Sequence, residues 1–94
     1  MEELMKEIKQ FNEERDWDKF HSPENLAKSI SIESGELLEH FQWGKEYDKL
    51  EVADELADVL IYCLSMVDVF DFDFEEIIRN KMAKNAVKYP EKIE

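Results

Sequence analysis

Four carboxylates stand where a helical chain would ordinarily place apolar or solvated residues. Glu33 and Glu36 are three residues apart, Glu55 and Asp58 repeat that spacing, and eighteen residues separate the two pairs. Leu26, Ile30, Leu37 and Phe41 make an apolar helical stripe, and Glu33 falls where that stripe needs another leucine. Glu36 points from the same face. Glu55, Asp58 and Tyr62 lie at i, i+3 and i+7 inside a segment, Val52–Phe70, that is apolar nearly all round. Burying ionised carboxylates without partners costs several kcal/mol or more. Neither segment carries a Lys or Arg stripe to pair with four acids, so a hard divalent cation is the economical counter-charge. An all-oxygen donor set suits magnesium or manganese, whereas zinc prefers His and Cys. A di-iron bundle needs Glu-x-x-His pairs, and His40 follows Leu37, not Glu, at that interval. A single Glu-x-x-Glu in an acidic helical protein is ordinarily a solvated face. Two such pairs set in apolar surroundings point to a site.

The elements that must position these acids are helices. Leu4, Ile8 and Phe11 recur at helical spacing and give a first helix ending near Arg15. Asp16–His21 reads as a connector. Ser22-Pro23 supplies an N-cap and a first-turn proline for a second helix, running to about Phe41 and stopping near Gly44. A third helix opens at Asp48 or a neighbour and runs to about Phe70. Asp73-Phe74-Glu75-Glu76 is a capping-box pattern for a fourth, which ends before Pro90. The expected fold is all-α, a compact four-helix bundle-like arrangement with the third helix buried. Phe11, Phe20, Phe41, Phe70, Phe72 and Phe74 are expected in the core or in subunit contacts.

Ninety-four residues leave room for one domain, 1–94, and one modest core that partner subunits often complete. With 44% hydrophobic and 38% charged residues the chain is folded, not disordered. The net charge of −12 argues against wrapping a nucleic acid polymer, which needs clustered Lys and Arg. That charge is uneven. Residues 79–94 carry Arg79, Lys81, Lys84, Lys88 and Lys92 against Glu91 and Glu94, net +3, leaving −15 on the body. Cys63, the single cysteine, reads as a small buried hydrophobe in a reducing compartment. With no basic-then-apolar leader and no membrane-length apolar run, a cytoplasmic protein without membrane association is expected.

The acid signature and its surroundings resemble the MazG-like, all-alpha nucleotide pyrophosphohydrolases. Glu14-Arg15-Asp16-Trp17, Phe20-His21, Pro23, Asn25-Leu26 and Glu33-Ser34-Gly35-Glu36-Leu37 are similar to the dCTP pyrophosphatase branch. So are Phe41-Gln42-Trp43, the run Glu55–Tyr62, Lys81-Met82 and Tyr89-Pro90. The likeness covers roughly residues 11–90. It departs between Trp43 and Glu51, where the connector is shorter than in the animal enzymes, which bears on the lip of the base pocket.

The resemblance implies magnesium-dependent hydrolysis of a (deoxy)nucleoside triphosphate, dCTP-like, at the α-phosphorus, with monophosphate and pyrophosphate as products. It implies magnesium, with manganese as a substitute, on Glu33, Glu36, Glu55 and Asp58. One carboxylate takes the proton of the attacking water, Glu36 being one choice among the four. Lys81, Lys84, Asn85 and Lys88 share a face suited to the outer phosphates. Lys88 serves equally as a complement to the helix dipole. Trp17, His21 and Trp43 fall on substrate positions that would enclose the base, against core packing or, for His21, a capping contact. Tyr62 reaches substrate or is a core tyrosine; Asn25 is a substrate contact or a local cap. A homodimer or homotetramer with sites near the subunit interface is also implied. Two alternatives stand beside this reading. One is another substrate of the superfamily (dUTP, phosphoribosyl-ATP or a modified nucleotide). The other is a non-catalytic acidic helical module that binds a basic partner.

Overall fold

The structure, a computed structural model, describes residues 1–92 and is all-helical there. Glu94, counted above in the basic terminal segment, lies outside the described residues. The chain forms α1 (Glu2–Glu14), a short 3-10 turn (Asp18–Phe20), α2 (Pro23–Glu39), α3 (Lys49–Val69) and α4 (Phe74–Lys88). The helix starts are those the cap residues predict. Ser22 Oγ accepts from the Asn25 amide N–H at 3.2 Å with Pro23 in the first turn, and Asp73 Oδ1 accepts from the Glu76 N–H at 2.9 Å. At the start of α3, Asp48 Oδ1 accepts from Leu50 and Glu51 N–H groups at 2.9 and 3.2 Å.

The ends of α1 and α3 share one device. After α1, Asp16 takes a left-handed φ of 57°, and the Asp16 and Trp17 N–H groups turn back to the Glu13 and Asn12 carbonyls. After α3, Asp71 at φ 56° does the same, with Asp71 and Phe72 N–H groups on the Asp68 and Val67 carbonyls. These are Schellman closures with aspartate where glycine is usual. Gly44, at φ 83°, turns the connector between α2 and α3.

Packing departs from the compact bundle that the helix pattern suggests. The α2–α3 pair is the extensive contact and α1 lies against α3, but α4 makes no comparable contact with the rest of the chain. The radius of gyration is 16.2 Å, against about 12 Å for a compact domain of this length. Among the described residues only Leu26, Leu64 and Val67 are buried apolar side chains, and of these only Leu26 is fully so. The third helix, expected to be buried, is buried only at Leu64, Ser65 and Val67, while Leu60 is 51% exposed. Of the six phenylalanines only Phe74 is less than exposed. The physical reason is one of supply: α3 is apolar on all sides, and one chain of this size brings only α1 and α2 to cover it. Met82 and Val87 on α4 are 64% and 85% exposed, so its apolar residues are uncovered as well. No described helix is long and apolar enough to cross a membrane.

Candidate active site

The α2–α3 contact sets Glu33 against Glu55, with Asp58 one turn further along α3. One oxygen from each of these three carboxylates lies within 4.8 Å of the others. Glu33 and Glu55 are half-buried and Asp58 is exposed. Glu33 Oε2 and Glu55 Oε2 are out of solvent and have no hydrogen-bond partner. Among the described residues, no Lys or Arg forms an ion pair with any of them. Acceptors thus converge with nothing to accept from, and the site responds through its protons. The Glu33 carboxyl is raised above its ordinary pKa, first because a proton there is shared with Glu55, with burial and the Glu55 and Asp58 charges adding to it. Glu36 opposes that rise on Glu33, and its own carboxyl is raised by its hydrogen bond and charge repulsion with Glu33. A proton is one remedy for orphaned carboxylate oxygens; a hard cation with oxygen preference is the other, and the all-oxygen donor set fits it.

Two hollows lie along the acid-bearing helices, the first of them lined in part by Glu36 and Glu55. One is an open cleft of about 470 Å³, lined by Glu36, Glu39, His40, Trp43, Tyr47 and Glu55 among others. In the same connector the rings of Phe41 and Tyr47 meet edge-on at 5.1 Å. The other is a cavity of about 300 Å³ between α1 and α3, where His21, Asn12 and Ser65 meet Ile8 and Leu64. The His21 ring meets Tyr62 edge-on at 6.2 Å, so Tyr62 stands between this cavity and the acids on its own helix. Asn12 and Ser65 are buried and joined by a 3.4 Å hydrogen bond from Nδ2 to Oγ. Sequence reasoning passed over both. The available signal was that Ser65 prolongs the stripe of Glu55, Asp58 and Tyr62 by one more turn.

The remaining candidate residues are dispersed. His21 and Trp43 line different hollows, and the Trp17 ring lies against Phe11 at 5.7 Å, so the three aromatic rings do not form one enclosure within the chain. Trp43 is 79% exposed. The Asn25 side-chain amide donates to the Phe20 carbonyl at 2.9 Å and closes the connector onto α2. Lys81 and Asn85 ride on α4, which no extensive contact ties to the acid-bearing helices. Arg79 is engaged locally with Glu75 at 2.9 Å.

Comparison with known proteins agrees with this arrangement of helices. The MazG-like family model matches residues 28–94. The dCTP pyrophosphatase 1 proteins of Mus musculus and Homo sapiens are each 32% identical over 100 aligned positions covering 96% of this chain. The chain spans 59% of the length of these curated relatives. A crystal structure of a pyrophosphatase from Archaeoglobus fulgidus superposes with a TM-score of 0.88 at 47% identity, covering 97% of this chain and 93% of that one. The chain belongs to the MazG-like family.

Proposed function

We propose that this protein is a divalent-metal-dependent nucleoside triphosphate pyrophosphohydrolase. Its substrate is a (deoxy)nucleoside triphosphate, dCTP-like, cleaved at the α–β phosphoanhydride to monophosphate and pyrophosphate. The observation that carries this reading is the convergence of Glu33, Glu55 and Asp58 with two buried, partnerless oxygens. Similarity to proteins described as dCTP pyrophosphatase 1 and as a pyrophosphatase supports the class of bond.

Glu33, Glu55 and Asp58, with Glu36 beside them, are the residues that would hold magnesium, or manganese in its place. When bound, such a cation supplies neutralising charge to phosphate oxygens and acidifies nearby water. Glu36 is the carboxylate we assign as proton acceptor for the attacking water. It is exposed to solvent water and stands beside the three converging acids. Tyr62 and His21 lie on the sugar and base side, as does the connector that Asn25 closes. Trp43 is assigned to the opposite lip of the site.

Phosphate contacts from Lys81 and Asn85 come, on this reading, from a second copy of the chain. Support comes from the unpacked α4 and the uncovered apolar surface of α3, which a homodimer or homotetramer would bury. Trp17 then belongs to the wall that such a neighbour completes. Cys63 has no second cysteine to pair with, and we assign the activity to the cytoplasm. The test is incubation with each common dNTP and NTP plus magnesium, with products resolved by ion exchange. Monophosphate with pyrophosphate is the expected outcome. Diphosphate with free phosphate would refute the assigned bond, and no turnover by folded protein would refute a common nucleotide as substrate, leaving a modified nucleotide or the binding module.

A further inference from the structure

We infer that the rings of Phe41 and Tyr47 form a clasp across the connector that positions Glu33 and Glu55 against one another. The tightness with which the acids hold a cation is then set from outside the acids. That consequence rests on the metal reading of the site.

The first reason is register. The connector, His40–Asp48, is nine residues long, and the helices it joins pack along one another, so α2 and α3 form an antiparallel hairpin. Phe41 comes eight residues after Glu33, and Tyr47 comes eight residues before Glu55. Equal steps from one facing pair of an antiparallel hairpin lead to another, so the acids and the rings are rungs of one ladder, roughly two helical turns apart. The rings meet where that register puts them, edge-on with centroids 5.1 Å apart. Both sit on ordered chain. The winding of α2 carries past Glu39, with the Phe41 and Gln42 N–H groups donating to the Leu38 and Glu39 carbonyls at 3.0 and 3.3 Å. Asp48 caps α3 directly after Tyr47, and Gly44, at φ 83°, makes the reversal between the rings.

The second reason is that little else fastens this end of the hairpin. The acids lie between two ends of the α2–α3 pair. At the far end Leu26 and Leu64 are buried. At the connector end Leu37 and Val52 are half-buried, while Leu38 and Leu50 are 70% and 78% exposed. Glu36, Glu39, Glu46, Glu51 and Glu55 line the cleft there. Lys45 and Lys49 are close in sequence, but neither lines that cleft or forms an ion pair among the described residues. Like charges push the two helices apart at this end, and the aromatic contact opposes them.

The third reason is where Tyr47 falls. It lies within Trp43–Glu51, the stretch in which this chain departs from the dCTP pyrophosphatase likeness by a shorter connector. The clasp is therefore a property of this connector and not of the acid signature.

The experiment compares Tyr47→Ala, which removes the clasp, with Tyr47→Phe, which keeps the ring. Tyr47 is 53% exposed, so its truncation leaves the fold standing. Phe72→Ala, which removes a ring stacked on Phe70 just beyond the other end of α3, is the matched control. Manganese binding without nucleotide, read by EPR, should weaken on the order of tenfold in Tyr47→Ala, as when a group that orients a metal ligand is lost. It should hold its wild-type value in Tyr47→Phe and in Phe72→Ala. Unchanged affinity in Tyr47→Ala, or an equal loss in Phe72→Ala, would reduce the rings to ordinary packing and overturn the inference. A second measurement needs no metal. Tyr47→Ala and Glu33→Gln, singly and together, are melted in EDTA. If the clasp holds the acids together, cutting it costs less melting temperature with Glu33 in place than with Gln there, because parting the helices relieves the repulsion. Additive shifts would overturn the clasp. Coupled shifts in a protein that binds no manganese would keep the clasp and discard the metal reading.

Discussion

Glu33→Gln should stabilise the metal-free protein and remove most of its gain from magnesium. The oxygens of Glu33, Glu55 and Asp58 lie within 4.8 Å of one another, and no Lys or Arg among the described residues pairs with them. Two unit charges at that separation repel by about 3.5 kcal/mol at an effective dielectric of ~20 and by about 0.9 kcal/mol in bulk water. Asp58 is exposed, so its repulsion with Glu33 sits at the lower figure; Glu33 and Glu55 are half-buried and sit above it. Salt and proton uptake reduce both. The amide that Glu33→Gln introduces would also offer a donor to the partnerless Glu55 oxygen. A gain of about 1–2 kcal/mol is expected in EDTA, or roughly 5–10 °C in melting temperature for a domain of this size.

The pH dependence follows from the same oxygens. Glu33 has a raised pKa in the folded protein, so the folded state holds its proton more tightly than the unfolded chain does. Its stabilising contribution is complete below the ordinary carboxylate range and is lost as pH rises through the raised value. Metal-free wild type should therefore melt lower at neutral than at mildly acidic pH, and the Glu33→Gln variant should show a flatter profile. Glu36 is shifted the same way, so some slope will persist. Calorimetry at fixed protein concentration, in EDTA and in excess magnesium at both pH values, reads all of this. The reasoning is refuted if the variant melts below wild type in EDTA, or gains as much from magnesium as wild type does.

Three further outcomes are expected. Gly35 sits inside α2 with open space where a Cβ would go, so Gly35→Ala should raise stability by about 1 kcal/mol; a lower melting temperature at dilute concentration would refute this. Asp16→Gly, at a left-handed φ of 57°, should add roughly 0.5–1 kcal/mol by relieving the side chain's steric cost, read by urea titration with an unchanged slope. Dilution should lower the melting temperature and unmask the monomer in sedimentation, since α4 and much of α3 have no cover within the chain; a concentration-independent monomer would oppose the assembly.

Helix limits were legible because they rest on local chemistry. Ser22-Pro23, Asp48 and Asp73 each cap the helix that the residue types predict. The acid cluster was legible for a related reason: Glu33, Glu55 and Asp58 interrupt apolar periodicity on two helices, and the α2–α3 contact brings them together. What pattern alone does not convey is the identity of the covering surface. Val52–Phe70 is apolar all round, which says that α3 must be covered and not by which chain, so a buried third helix was expected where Leu56, Leu60 and Ile61 are exposed. Asn12 and Ser65 escaped for the opposite reason. A single Asn or Ser in a helix reads as solvated, and only the meeting of α1 with α3, across 53 positions of sequence, makes the pair a buried one. Trp17, His21 and Trp43 show the same limit, since type and spacing marked them as aromatic walls without saying that they face different hollows.

The placement of the acids ties the proposed site to folding. The α2–α3 contact is the most extensive one among the described residues, and Glu33 and Glu55 face each other within it. With so small a core, repulsion of even 1–2 kcal/mol at that contact is a sizeable part of the few kcal/mol a small domain commands. A divalent cation there would change the sign of the interaction across the chain's principal contact, joining α2 to α3 instead of forcing them apart. The same step would set Tyr62 and Ser65 in register along α3, because Glu55, Asp58, Tyr62 and Ser65 share one rigid stripe. On this view metal loading is coupled through a helix to the nucleoside side proposed at Tyr62 and His21, and magnesium should tighten nucleoside binding there even for ligands that carry no phosphate. Titration of a free deoxynucleoside with and without magnesium decides it: equal affinities would mean that the two halves of the site act independently.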